Sequence, residues 1–181
     1  MAEPAPRLRI ARPDDTAALS ALIGRSARGL CTKDYTIEQV EAALQGAFGV
    51  DSELIADGTY FALEQAGALV GCGGWSKRGT MFGGDTHLDR DSRLLDPAFE
   101  AAKIRAFFID PMHAGNQFGD VLLAGCEEAA IRAGFSRFTL MATLTGARFY
   151  ERRGYAAERR KTFMLGDGVA VDFVPMNKAI G

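Results

Sequence analysis

Ala106-Phe-Phe-Ile-Asp-Pro-Met-His-Ala-Gly-Asn-Gln-Phe-Gly119, running on as Asp120-Val-Leu-Leu-Ala-Gly-Cys-Glu-Glu-Ala-Ala-Ile-Arg-Ala133, is the stretch on which the fold turns. An apolar, strand-like run stops at Asp110-Pro111. A short loop with Gly115 and Gly119 follows. A helix then carries Phe118, Val121, Leu122, Cys126, Ala129 and Ala130 at helical spacing, which makes one face apolar. A strand, a small polar loop and a helix N-terminus in succession build a pocket of backbone N–H groups suited to a phosphate.

Working outward, Ala102 to Ile109 reads as the strongest strand, and Gly134 ends the helix as a C′ residue. Arg137 to Met141 is the next strand. Two strands joined through one helix are expected to be parallel neighbours with a right-handed crossover. Thr145 to Arg152 reads as a short helix closed by Gly154. Tyr155 to Leu165 and Val169 to Asn177 read as a hairpin about Gly166-Asp-Gly168.

Upstream, Leu8 to Arg12 is a first strand and a helix follows to about Ser26. Thr36-Ile-Glu-Gln39 fits a capping box, opening a second helix with Ile37, Val40, Leu44 and Phe48 inward. Tyr60 to Glu64 and Ala68 to Trp75 pair about the turn Gln65-Ala-Gly67. Gly71, Gly73 and Gly74 in the second of these mark a bulge or a close approach. Residues 76 to 100 lack a period and read as a long surface loop, a length usually tied to function or mobility. The order of elements calls for an α/β or α+β sheet domain covered by helices.

With 181 residues, the chain suits one domain, spanning 1–181, with a sizeable core. A net charge of −2 argues against broad nucleic-acid binding. No apolar run approaches the roughly 20 residues of a bilayer span, and the N-terminus lacks the apolar centre of a secretory signal. Cys31, Cys72 and Cys126 show no paired metal-ligand spacing, so no metal is expected. The expected setting is the reduced cytoplasm.

The order of elements, with two local patterns, resembles the GNAT superfamily of acetyl-CoA-dependent N-acyltransferases from about Leu8 to Lys178. That family's pyrophosphate loop (Gln or Arg, two residues, Gly, one residue, Gly or Ala) falls on Ala114, Gly115, Asn116, Gln117, Phe118 and Gly119. Gly119 matches, Ala114 stands for Gln or Arg, and Gln117 for Gly. The second pattern is Phe149-Tyr150-Glu151-Arg152-Arg153-Gly154-Tyr155, similar to the family's F/L-Y-x-x-x-G-F/Y segment. Thr143 stands where the family often has Asn.

The resemblance implies a GNAT-like, mostly antiparallel sheet of six to seven strands with a central parallel pair and about four helices. It implies acetyl-CoA as cosubstrate, held by the loop from Ala114 to Asp120, with Thr143 and Tyr150 also at the cofactor. Backbone N–H groups near Phe107, Phe108 and Ile109 would meet the pantetheine arm and the thioester carbonyl. Asp120, in the first helical turn, complements an empty helix dipole but by itself repels a phosphate.

Acyl transfer needs an unprotonated amine, a stabilised oxyanion and a proton for the leaving thiolate. Tyr150 is the expected acid, because a phenol holds its proton at neutral pH and yields it to a strong base. For the base, Glu100 lies just before the central strand and Asp110 just after it, and a water chain would serve as well. His87, in the long loop, qualifies by pKa alone, and His113 borders the phosphate loop, where it meets phosphate or solvent. The acidic surplus around Asp85, Asp89, Asp91 and Asp96 suits steering of a cationic amine or simple solvation. The expected acceptor is a small-molecule or peptide amine, and the final hairpin offers an edge for a homodimer. A GNAT-fold acyl-CoA-binding or sensor protein without catalysis is the competing expectation.

Overall fold

A computed structural model describes residues 4–87 and 90–181. An eight-stranded sheet forms the centre, in the order β1 (Arg7–Ile10), β2 (Tyr60–Gln65), β3 (Ala68–Ser76), β4 (Ala102–Ile109), β5 (Arg137–Thr143), β8 (Val169–Ala179) and β6 (Ala156–Ala157). β7 (Lys161–Leu165) also pairs with β8. Every pair is antiparallel except β4 with β5. The expected strand from Tyr155 to Leu165 is thus two pieces, and the sheet has one strand more than expected.

Among the described residues five α-helices cover the sheet: α1 (Thr16–Leu30), α2 (Ile37–Leu44), α3 (Ser52–Ala56), α4 (Phe118–Arg132) and α5 (Ala147–Glu151). α1 runs past Ser26 because its buried stripe of Leu19, Leu22, Ile23 and Ser26 continues to Ala27. Gly29 then lets it pass close to the loop after β4, since a Cβ there would lie 2.5 Å from Pro111 Cγ. The capping box of α2 is present: Gln39 N donates to Thr36 Oγ1 at 3.2 Å and Thr36 N to Gln39 Oε1 at 3.0 Å. Ile37, expected inward, is exposed, because α2 turns Val40, Ala42 and Ala43 to the core.

The sheet divides the core. On one face α1 and α2 pack Leu19, Leu22, Ile23 and Val40 with Tyr60, Phe108 and Phe173. On the other, α4 and α5 pack Leu123, Cys126 and Tyr150 with Ile104, Phe138 and Leu140.

Two irregularities in β4 shape the centre of the sheet. Opposite β3, Gly74 pairs with Arg105 and Cys72 with Phe108, so Ala106 and Phe107 together face Gly73. This is a β-bulge, and Ala106 carries it with φ 51°. The close approach expected of the β3 glycines is real: a Cβ on Gly73 would stand 2.8 Å from Phe107 Cδ2. Opposite β5, only Ala102–Phe138 and Lys103–Thr139 pair. Beyond them the two parallel strands part.

Residues 76–100 are less superficial than expected. Arg78 is clamped on Asp57 by bonds of 2.8 and 2.9 Å, and Thr80, Gly83 and Gly84 are buried. Gly84 N donates to Gly46 O at 2.9 Å, which seats this segment against the α2–α3 connection.

Candidate active site

A cavity of about 670 Å³ opens where β4 and β5 part, running from the α4 N-terminus to α1 and the 76–100 segment. Of the residues expected at a cofactor, Phe107, Phe108 and Ile109 line it on the β4 side, and Thr143 and Tyr150 on the β5–α5 side. Ala114, Gly115, Gln117, Gly119 and Asp120 line its phosphate-loop end. Asn116 and Phe118 belong to the same loop without forming its wall. Phe118 is buried, with the His113 ring stacked at 5.6 Å.

The loop is preshaped. Asp110 accepts from Met112 N at 3.0 Å and from Arg25 Nε and Nη2 at 3.1 and 3.0 Å. These bonds hold its carboxyl below the ordinary range despite partial burial, which acts the other way. Gly115 has φ 86°, and Gln117, at the N-cap of α4, has φ 61°. The chain keeps at Gln117 the left-handed conformation that glycine adopts without strain. Among the described residues, the N–H groups of Gly115, Gln117, Phe118 and Gly119 have no protein acceptor. Four unpartnered donors at a helix N-terminus make an anion cradle.

Asp120 does not present a bare charge to that cradle. Its Oδ1 accepts from Arg153 Nε at 2.5 Å, and the guanidinium lowers its pKa. Arg153 is fixed in turn by Phe149 O at 2.7 Å and lies 3.7 Å from the Phe149 ring centroid. The expected repulsion is therefore compensated by an arginine just past α5, 33 residues downstream.

Tyr150 sits on α5 with its ring edge-on to Phe107 at 5.9 Å, Phe149 at 5.1 Å and Tyr155 at 5.6 Å. Burial pushes its phenol pKa above the ordinary value, so the proton stays on oxygen. No hydrogen bond to protein ties its hydroxyl among the described residues. Thr143 Oγ1 accepts from Gly146 N at 2.9 Å, fixing the turn into α5.

Glu100 is not brought to this place. Arg93 grips it with bonds of 3.0 and 2.8 Å, Asp96 N adds a third at 2.8 Å, and its carboxyl is held down to about 2. It stands at the paired end of β4 and does not line the cavity. His87 packs its ring 4.7 Å from Phe82. Among the described residues no group of three His, Cys, Asp or Glu has a metal-binding arrangement, and no helix is long and apolar enough to cross a membrane.

The other half of the cavity escaped the sequence reading. Phe48 after α2, Phe82 in the 76–100 segment and Phe173 on β8 form one aromatic group, with centroids 6.1 Å (Phe48–Phe173) and 5.7 Å (Phe82–Phe173) apart. Beneath it lies Arg105, only 3% exposed, whose Nη2 donates to Gly83 O at 2.6 Å and pairs with Asp51 Oδ2 at 2.5 Å. The available signal was an arginine set among the apolar residues Ile104, Ala106, Phe107 and Phe108 of β4.

Residues 27–155 match the family model described as Acetyltransferase (GNAT) family. Among solved structures, the GCN5-related N-acetyltransferase of Rhodopseudomonas palustris superposes with TM-score 0.72 at 24% identity, covering 99% of each chain. The PaiA N-acetyltransferase of Thermoplasma acidophilum, in complex with coenzyme A, gives 0.66 at 14% identity, covering 98% of this chain and 100% of that one. The yncA protein of Salmonella typhimurium, with acetyl-CoA, gives 0.63 at 15%, covering 98% and 95%. No curated protein matches the sequence.

Proposed function

Since the chain belongs to the GNAT family of acetyltransferases, we propose that it moves the acetyl group of acetyl-CoA to a primary amine by direct attack in a ternary complex. One observation carries the reading: a single cavity is lined both by the loop that bears the unpartnered N–H cradle at α4 and by Tyr150. The fit to coenzyme A rests on this chain's own groups. The cradle at Gly115, Gln117, Phe118 and Gly119 suits a pyrophosphate, and Arg153 balances Asp120 beside it.

The parted edge of β4 faces the position of the thioester. Main-chain N–H groups after the bulge, near Phe107 to Ile109, hold the carbonyl oxygen as negative charge develops on it. The amine nitrogen bonds to the carbonyl carbon, the C–S bond breaks, and the electron pair leaves on sulfur. Tyr150 gives its proton to that thiolate. Asp110 is committed to Arg25 and Met112, and Glu100 to Arg93. The amine proton therefore leaves through water.

Titration with acetyl-CoA followed by melting temperature tests binding, because a ligand of the native state stabilises it by mass action. A saturable rise is expected; none at millimolar ligand overturns the reading. Thiol release with a panel of amines then separates an enzyme from a GNAT-fold protein that only binds the ligand.

A further inference from the structure

Arg105 is the least satisfied polar side chain in the molecule's centre. Its Nε and Nη1 are buried and have no hydrogen-bond partner among the described residues. Buried donors without acceptors are costly, and a native structure that keeps them calls for an acceptor from elsewhere. Around it two arginines face two carboxylates, and Asp51 Oδ2 and Glu53 Oε1 are also buried without a hydrogen-bond partner among the described residues. Asp51, fully buried, meets both Arg105 and Arg90, and Glu53 stands 3.6 Å from Arg90. The second carboxylate leans toward Ser92, which donates to Glu53 Oε2 at 2.5 Å.

The bulge sets where Arg105 faces. The extra residue puts Arg105 and Phe108 on the same side of β4, the side of the aromatic group, where the Phe108 ring meets Phe48 edge-on at 5.5 Å. Arg105 precedes Ala106, so its guanidinium emerges one residue before the strand segment that faces the thioester. The remaining walls of this half are Leu30, Cys31, Ala47 and Met81. The titratable wall residues His113, Asp120, Arg152 and Arg153 belong to the phosphate end. Among the described residues no carboxylate lines the acceptor half, so a polycation entering it meets no counter-charge.

We infer that the acceptor is a small apolar α-amino carboxylate, its side chain among Phe48, Phe82 and Phe173 and its carboxylate oxygen on Arg105. This rests on the acetyl-transfer reading and narrows it. A carboxylate beside the reacting amine matches the one-residue separation between Arg105 and the bulge. An apolar side chain matches the aromatic wall, and the pairing satisfies donors that have no partner among the described residues.

The test compares matched acceptors with the wild-type protein holding acetyl-CoA: phenylalanine against phenethylamine, leucine against isopentylamine, and both against spermidine and an aminoglycoside. The expected result is a kcat/KM for the amino carboxylates about 10²-fold above their decarboxylated partners, the upper end for a hydrogen bond to a charged group. Arg105→Met should erase that ratio and Arg105→Lys should restore part of it. Where these variants fail to fold, the wild-type substrate pairs decide alone. Equal kcat/KM within each pair, or preference for spermidine or the aminoglycoside, overturns the inference. So does a protein that binds acetyl-CoA yet neither binds nor acetylates the amino carboxylates, and that outcome leaves acetyl-CoA binding intact. Saturable binding of phenylalanine to the acetyl-CoA complex without thiol release supports the acceptor site and overturns catalysis instead.

Discussion

The hydroxyl of Tyr60, a fully buried side chain on β2, donates a 3.1 Å hydrogen bond to the carbonyl oxygen of Ala106, the residue whose positive φ makes the β4 bulge. Alanine at φ 51° is held against its own preference, so a bond from a rigid neighbour fixes a conformation the strand would otherwise leave. Tyr60→Phe removes that donor with little change of shape. It should cost about 1–2 kcal/mol of stability, read as a lower denaturant midpoint at unchanged slope. It should also raise the KM for acetyl-CoA, because the β4 amides are aimed by the bulge. A variant as stable as the wild type would show that the bulge holds itself.

Tyr150→Phe keeps the ring that packs on Phe107, Phe149 and Tyr155 and removes only the proton donor. Turnover should fall about 10²-fold, the low end for loss of a general acid, while coenzyme A binding by titration stays within a factor of about two. The pH profile carries a sign. Burial raises the phenol pKa, so the protonated, competent form persists past the ordinary phenol value near 10. An alkaline fall in rate centred below about pH 10 would assign that limb to another group. An unchanged turnover in the phenylalanine variant removes Tyr150 from the proton transfer.

Arg153 and Asp120 test the electrostatics of the cradle from both sides. Arg153→Ala leaves Asp120 uncompensated at a helix N-terminus that should receive phosphate, and coenzyme A affinity should drop about tenfold, or ~1.4 kcal/mol. Asp120→Asn releases Arg153 to face the anion and should tighten binding. The double variant should fall between the two. If Arg153→Ala binds coenzyme A as tightly as the wild type, the pair serves only to tie α5 to α4.

Much of this was readable in advance. The strand–loop–helix from Ala106 to Ala133 and the Phe149–Tyr155 segment have strong local signals, periodicity and glycine punctuation, and they fall where expected. What stayed hidden depends on residues far apart in sequence. The Arg153–Asp120 pair needs the α5–α4 contact, and the burial of Gly83 and Gly84 needs the floor that Arg105 and Gly46 provide. The bulge at Ala106 left no mark because alanine carries it. Glu100 looked suitable by position along the chain, but proximity to a strand end says nothing about which neighbour claims a carboxylate, and Arg93 claims this one. Ile37 fits the helical spacing of an inward face, yet Val40, Ala42 and Ala43 decide which side of α2 meets the sheet.

Gln117 offers the sharpest separation of strain from function. It holds φ 61° at the N-cap of α4, and its N–H is one of the four that lack a protein acceptor. A left-handed non-glycine residue costs about 1–2 kcal/mol, and glycine at the same place avoids that cost but gives back roughly 0.5–1 kcal/mol of unfolded-chain entropy. Gln117→Gly should therefore leave stability equal or up to about 1 kcal/mol higher, with coenzyme A affinity kept, since the N–H stays where it is. Gln117→Val puts a β-branched side chain in the same conformation, where it is a true outlier. It should lower both the melting temperature and coenzyme A affinity, because relief of the strain requires the loop to move and the cradle moves with it. Affinity that survives Gln117→Val at reduced stability would mean that the remaining N–H groups of Gly115, Phe118 and Gly119 suffice for the phosphate, and that the Gln117 amide takes no part in holding it.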